Sequence, residues 1–174
     1  NIKGELILRQ TRNIYDYCVL KNINKFIFLS SGAIYGNFDN KIKENEIILK
    51  DKIKDPCLDG YQKGKINTEI FLNDNKSNID IIIPRCFSYY GEEMPNHYAF
   101  YQILKNIINF RKLEIINNVT RSYLHEDNLF LALMTLLNNN CKKNTYNIGS
   151  DKKLTLVNLA VKISNLLKID AEII

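Results

Sequence analysis

Apolar residues along this chain alternate between short continuous runs and helical spacing. That is the mark of buried parallel strands and of the helices that cover them. From Thr11 to Lys21 the apolar positions Ile14, Tyr15, Cys18 and Val19 fall at helical intervals, and Asn22 to Asn24 end that helix. Residues 1–9 carry no strong pattern of their own. Phe26 to Leu29 is an unbroken apolar run, which predicts a short strand buried on both faces; it breaks off into Ser30, Ser31 and Gly32. Residues 37–59 are charged and rich in Asn, Asp and Lys, punctuated by Pro56 and then Gly60, and read as a long surface loop. A helix follows over Tyr61 to Asn73, with Ile66, Ile70 and Phe71 inward and Lys65 and Glu69 as an i,i+4 pair.

Ile79 to Ile83 is the next strand, closed by Pro84 and Arg85. Strand, crossover with helix, and strand again is the order of a parallel sheet, so the fold class is α/β. Tyr98 to Phe110 has helical periodicity through Phe100, Ile103, Leu104 and Ile107. A short strand at Leu113 to Ile116, a turn at Asn117 and Asn118, and an extended piece reaching Arg121 to His125 follow. Glu126 and Asp127 open a helix over Leu129 to Leu137, acidic at the end where the macrodipole favours it. Thr145 to Ile148 is a strand stopped by Gly149, and Thr155 caps a last helix from Leu156 to Leu167.

Composition narrows the class. With 45% hydrophobic and 25% charged residues in 174, the chain is globular and long enough for a core. The net charge of +5 suits an anionic ligand, but it is spread out, and no Lys/Arg block suggests a nucleic-acid groove. Cys18, Cys57, Cys86 and Cys141 share no C-x-x-C spacing and read as reduced cytosolic thiols, neither a metal site nor a disulfide framework. No apolar run reaches membrane-spanning length, no signal peptide is visible, and the expected location is cytoplasmic. The first residue is Asn, which fits a fragment.

Two stretches carry candidate chemistry. Ser30 and Ser31 sit at the carboxyl end of a parallel strand, where open α/β sheets place ligands. Tyr61 and Lys65, at i and i+4, stack on one helix face, where an ammonium beside a phenol favours the phenolate and makes tyrosine an acid/base near neutral pH. The bland alternatives are a loop serine capping local backbone and an exposed helix pair.

Together, Ser30-Ser-Gly-Ala-Ile-Tyr-Gly36 and Tyr61-Gln-Lys-Gly-Lys65 resemble the S-S-x-x-x-Y-G and Y-x-x-x-K segments of the extended short-chain dehydrogenase/reductase family, the NAD-dependent sugar-nucleotide epimerases and dehydratases. Arg85-Cys-Phe-Ser-Tyr-Tyr-Gly91 is similar to the family's R-x-F-N-x-Y-G, Arg121-Ser-Tyr-Leu-His-Glu-Asp127 to its R-D-F/Y-I-H/Y-V-D, and Tyr146-Asn-Ile-Gly-Ser150 to its Y-N-I/V-G. The resemblance implies a partial Rossmann-like, doubly wound parallel sheet with part of a C-terminal substrate-binding region. Residues 1–93 would be the second half of the NAD(P)-binding domain, and 94–174 a substrate-facing portion interleaved with its last elements. It implies Ser31, Tyr61 and Lys65 as catalytic residues. Leu29, Ser30, Tyr61, Lys65, Pro84 and Phe87 would border NAD or NADP; Ser31, Gly32, Ala33, Ser88 and Arg121 would meet a nucleotide sugar, Arg121 on its diphosphate. A homodimer when full length, and a place in surface polysaccharide synthesis, are implied in the same way.

The departures are informative. The Gly-rich G-x-x-G-x-x-G turn for the cofactor pyrophosphate is absent, so this chain is expected not to bind NAD unless the missing half is supplied. Gly32 and Ala33 stand where 4,6-dehydratases of the family carry Asp-Glu, which disfavours dehydration and leaves hydride transfer at a carbinol or ketone. Ser88 replaces the usual Asn and Ser122 the usual Asp. A truncated non-catalytic remnant and a relative acting on a non-sugar carbonyl are the rival readings. His125 is read as a satisfied half-buried histidine, Arg85 as a structural ion pair, Tyr35 as packing, Phe87 as both core and cofactor wall, and Cys86 as unactivated.

Overall fold

The computed structural model describes residues 2–36, 42–45, 49–75, 78–141 and 143–174. Residues 37–41 and 46–48 of the 37–59 loop lie outside them, and the described part holds one short helix. The elements in order are α1 (Ile2–Leu20), β1 (Lys25–Ile27), β2 (Ser30–Ser31), a 3-10 turn (Gly32–Tyr35), α2 (Leu49–Lys52), α3 (Gly60–Asp74), β3 (Asp80–Cys86), β4 (Ser88–Tyr90), α4 (Ala99–Phe110), β5 (Lys112–Leu113), β6 (Thr120–His125), α5 (Glu126–Asn138), β7 (Thr145–Ile148), β8 (Lys153–Thr155), α6 (Leu156–Leu167) and β9 (Glu172–Ile173). The chain divides into two units, residues 1–87 with 131–148, and residues 88–130 with 149–174.

In the first unit β3 is the central strand. It pairs in parallel with β1 and β2 on one side, from Lys25↔Asp80 through Ser31↔Cys86 at constant offset, and with β7 on the other. The Phe28 N–H donates to the Ile82 carbonyl at 2.9 Å, so β1 and β2 form one interrupted strand. Its core is one cluster of Tyr15, Phe26, Phe28, Leu72, Ile79 and Ile83, and a second of Ile34, Tyr35, Leu58 and Ile66.

Several expectations change here. The first helix starts at Ile2, because its opening turn packs through small residues that an apolar count does not register. A Cβ on Gly64 would stand 2.5 Å from the Gly4 Cα, so α1 and α3 approach backbone to backbone. Tyr15 is buried and Cys18 half-buried, but Ile14 and Val19 are exposed. Leu29 is not buried with its run; it is 47% exposed at the strand end. Pro84 and Arg85 do not close β3 but lie inside it, paired with Tyr146 and Asn147. Asn22 does end α1, with a left-handed φ of 52°.

In the second unit β4 pairs in parallel with β6, β6 runs antiparallel to β8, and β5 pairs with β9. Ile103, Ile107, Leu113, Leu159, Ala160 and Ile163 form its core, with Phe100 and Leu104 against it, as the helical periodicity predicts. The Thr155 hydroxyl accepts the Asn158 N–H at 3.1 Å, the expected cap of α6. Strands β4, β8 and β9 were not expected; each is two or three residues long, too short for a period to show.

Candidate active site

Three local structures assemble the site in the first unit. Ser31 is the N-cap of the 3-10 turn: its hydroxyl oxygen accepts the Ala33 N–H at 3.1 Å and so retains its own proton to donate. Asp59 caps α3 in a full capping box, accepting the Gln62 N–H while the Gln62 side chain accepts the Asp59 N–H. The same Gln62 amide donates to the Ala33 carbonyl at 2.8 Å. The first turn of α3 is thereby tied to the turn that Ser31 opens.

One helical turn on, the Lys65 ammonium donates to the Leu29 carbonyl at 2.5 Å and lies 4.7 Å from the centre of the Phe28 ring and 5.7 Å from that of Tyr61. Leu29 takes one of its three N–H donors. Burial pushes this ammonium below its ordinary pKa, opposed by the Cys86 thiolate where that thiol ionises and by the Glu69 carboxylate. Tyr61 is 42% exposed, so its ring borders solvent at the strand end. Burial pushes the Cys86 thiol up to about 11 despite the nearby lysine, which fits an unactivated cysteine.

Beneath these groups lies a polar network that the sequence reading did not assemble. Glu69 does not use its charge on the surface with Lys65: it is fully buried and forms a forked ion pair with Arg85, Nη2 to Oε2 at 2.8 Å and Nε to both oxygens at 3.2 Å. The Ser30 hydroxyl also donates to Glu69, so this serine faces inward. Arg85 Nη1 donates to the Tyr35 hydroxyl at 2.8 Å and to the Glu44 carbonyl at 3.0 Å, and Tyr35 donates to Asn147 Oδ1 at 2.7 Å. Burial alone would lower the guanidinium pKa; its bonds to Glu69 and Tyr35 reverse that, so it stays charged. The Asn147 N–H donates to the Glu44 carboxylate at 2.8 Å. That bond, with Lys143 and Arg85, holds Glu44 below its ordinary value although burial opposes it. Arg85 is thus the structural ion pair expected of it, and Tyr35 does more than pack. The available signal was a charged residue in an apolar strand, which demands a buried partner.

The remaining candidates fall as follows. Phe87 stacks on Tyr35 at 6.2 Å, and its ring fills the place of a Cβ on Gly32, which would come within 2.6 Å. Ala33 is exposed and Pro84 fully buried. In the second unit, Ser88 is half-buried on β4 opposite Tyr123, and Arg121 is exposed on β6 opposite Leu154. His125 is half-buried, edge-on to Tyr90 at 5.1 Å, with its Nδ1 accepting the Asp127 N–H at 3.2 Å. Among the described residues no group of His, Cys, Asp or Glu could hold a metal, and no helix is long and apolar enough to cross a membrane.

The chain is 26% identical over 91% of its length to an ADP-L-glycero-D-manno-heptose-6-epimerase of Brachyspira hyodysenteriae, covering 51% of that protein. It is 25% identical over 90% of its length to a dTDP-D-glucose 4,6-dehydratase of Dictyostelium discoideum, covering 38% of it. Its fold superimposes on UDP-glucuronic acid 4-epimerase from Bacillus cereus, solved with UDP-glucuronic acid and NAD, with TM-score 0.81 over 97% of this chain and 53% of that one at 20% identity. The chain therefore spans about half, or less, of the length of the curated relatives named here. A family model matches residues 6–149 and agrees with the resemblance in the sequence: the chain belongs to the NAD dependent epimerase/dehydratase family.

Proposed function

We propose that this chain carries the proton-transfer half of an NAD(P)-dependent nucleotide-sugar epimerase or ketoreductase. On this reading residues 1–93 are the second half of the cofactor domain and 94–174 a substrate-facing portion interleaved with its last elements, among them β7 on the central sheet. The observation that supports it most is the placement of the Lys65 ammonium, held on the Leu29 carbonyl at the end of a parallel strand and 5.7 Å from the Tyr61 ring.

The residues fit a nicotinamide nucleotide in kind. Two ammonium donors remain on Lys65 for a ribose, and the half-exposed Leu29 beside it offers an apolar surface. When bound, the nicotinamide supplies the hydride acceptor and donor. Tyr61, as phenolate, takes the hydroxyl proton of a sugar carbinol as the carbon-bound hydride leaves, and returns it to the ketone oxygen in the reverse step. Ser31 donates a hydrogen bond to that same oxygen. Lys65 stabilises the phenolate and holds the cofactor ribose. Arg121 grips the diphosphate, and Phe87 backs the cofactor, while Pro84, fully buried inside β3, supports the strand beneath.

Dehydration is disfavoured although one relative is named a 4,6-dehydratase. Eliminating water needs an acid and a base beyond tyrosine; Ala33 supplies neither, and the Phe87 ring fills the space of any side chain at position 32. The test is Tyr61→Phe in the full-length protein. Loss of acid/base catalysis should cut NAD(H)-linked turnover of nucleotide sugars by roughly 10²- to 10⁴-fold. Undiminished turnover would remove the assignment. Thermal stabilisation by a panel of nucleotide sugars identifies the substrate, and none stabilising while other carbonyl compounds do favours a non-sugar substrate.

A further inference from the structure

We infer that the buried Glu69–Arg85 pair is the positioning element of this site, setting where Lys65 and Ser31 stand relative to each other. The inference rests on the proposed function for its catalytic consequence, not for its geometry. Glu69 lies one turn beyond Lys65 and two beyond Tyr61, on the same face of α3. Its carboxylate receives the Arg85 fork from β3 and the Ser30 hydroxyl from β2, and Ser30 is both the residue before Ser31 and the register partner of Arg85. The other end of the guanidinium reaches Tyr35, the last residue of the turn that Ser31 caps. One ion pair therefore touches the helix of Tyr61 and Lys65, the strand of Ser31, the neighbouring strand and the turn.

Stability alone does not call for this arrangement. Glu69 is 0% and Arg85 3% exposed, and a well-packed apolar pair of similar volume commonly matches or exceeds a buried ion pair in stability. What the fork adds is geometry. A planar guanidinium on a carboxylate fixes both distance and rotation, whereas an apolar contact lets a helix slide along its strand. The short Lys65 bond to the Leu29 carbonyl, one turn away, depends on that fixed height.

The test uses the full-length protein with Glu69→Leu and Arg85→Met combined, which removes both charges and keeps the volume, and Arg85→Lys as a second variant that keeps a cation without the fork. The readout is the ¹³Cε and attached-proton signal of Lys65, assigned by Lys65→Met and shifted upfield by the Phe28 ring over which its ammonium lies. In both variants that shift should collapse toward the value of a free lysine. Turnover should fall about 100-fold with KM within about twofold, the cost of an ångström of misplacement. A ring-shifted Lys65 signal retained in folded variants overturns the inference. Absence of NAD(H) turnover in the unaltered protein would instead defeat the proposed function, and the Lys65 signal would still judge the positioning role.

Discussion

The two units of this chain solve the problem of a small core in different ways. Of the buried polar or charged side chains among the described residues, Thr11, Ser30, Thr68, Glu69 and Arg85 belong to the first unit and Ser164 alone to the second. The first unit interrupts its apolar clusters with a satisfied, charged network; the second packs aliphatic residues from two helices and its short strands, and Ser164 only closes a helix end on the Ile169 carbonyl. Charge in a core is costly to bury and costly to break, while aliphatic packing fails gradually. The difference marks the first unit as the one where position, not only cohesion, is specified.

That contrast is sharpest in a pair of truncations. Glu69→Ala leaves the buried Arg85 guanidinium without its counter-charge, with only the Tyr35 hydroxyl and the Glu44 carbonyl to accept from it, and should cost about 3–5 kcal/mol, with a cooperative loss of the first unit. Ile107→Ala, at a fully buried position of the second unit, should cost about 2–5 kcal/mol, depending on how far the site collapses around the cavity. The apolar double replacement at 69 and 85 separates them: it should recover most of the Glu69→Ala loss in urea unfolding. No second change is expected to rescue Ile107→Ala short of refilling the cavity. Equal losses for Glu69→Ala and the double variant would break the comparison.

Alkaline titration is the next largest effect, and its sign follows from burial. The Cys86 thiol is raised from 9.0 to about 11, so between those values the folded state holds a proton that the unfolded state has lost. Its contribution is complete below pH 9.0 and is lost as pH rises toward 11, a decline on the order of 2 kcal/mol. Lys65 runs the other way, since its lowered pKa means that a desolvation cost disappears as pH climbs. Comparing Cys86→Ala with the parent in urea at pH 8 and at about pH 10.5 isolates the thiol: the parent should lose more. A parallel decline in both proteins would show that the thiol is not linked to folding.

Helix caps should behave alike in the two units, which bounds how far the contrast extends. Asp59→Ala removes the α3 cap and Thr155→Ala the α6 cap, each for about 1 kcal/mol. Asp59 sits in a capping box whose Gln62 also ties the helix to the Ala33 carbonyl, so its loss should in addition loosen the turn that Ser31 caps and raise hydrogen exchange at the Ala33 N–H, which donates to Ser31. Thr155→Ala should leave Ala33 unchanged.

Legibility followed the same division. Helix α6 and its cap, the apolar face of α4, the strand Thr145–Ile148 and the parallel order of the sheet were readable because apolar period and local capping dictate them. The proximity of Tyr61 and Lys65 was readable through spacing, since one turn of helix fixes it. Glu69 was not: four residues from a lysine, it looks like one half of a surface pair, and only the tertiary need of Arg85, 16 residues away, draws it inside. The opening of α1 was hidden for a related reason, because Gly4 and Gly64 pack by having nothing to bury. Long-range satisfaction and close backbone approach leave no periodic trace in sequence.

The smallest effect lies in the second unit and has the opposite sign from the rest. The Tyr123 hydroxyl is buried there without a hydrogen-bond partner among the described residues, and burial raises its pKa, with Arg121 opposing. A buried hydroxyl that has left water and gained no partner is a penalty, while its ring, packed with Phe100 and the aliphatic core, is a gain. Tyr123→Phe keeps the ring and removes the penalty, so stability should rise by up to about 1 kcal/mol, read as a higher urea midpoint at an unchanged slope. Tyr35→Phe makes the same chemical change in the first unit, where the hydroxyl bridges Arg85 and Asn147, and should lower stability. One substitution with two signs follows only if hydroxyls are spare in one core and committed in the other; a loss at both positions would mean that Tyr123 has a partner in solution and that the contrast between the units is smaller than their buried side chains suggest.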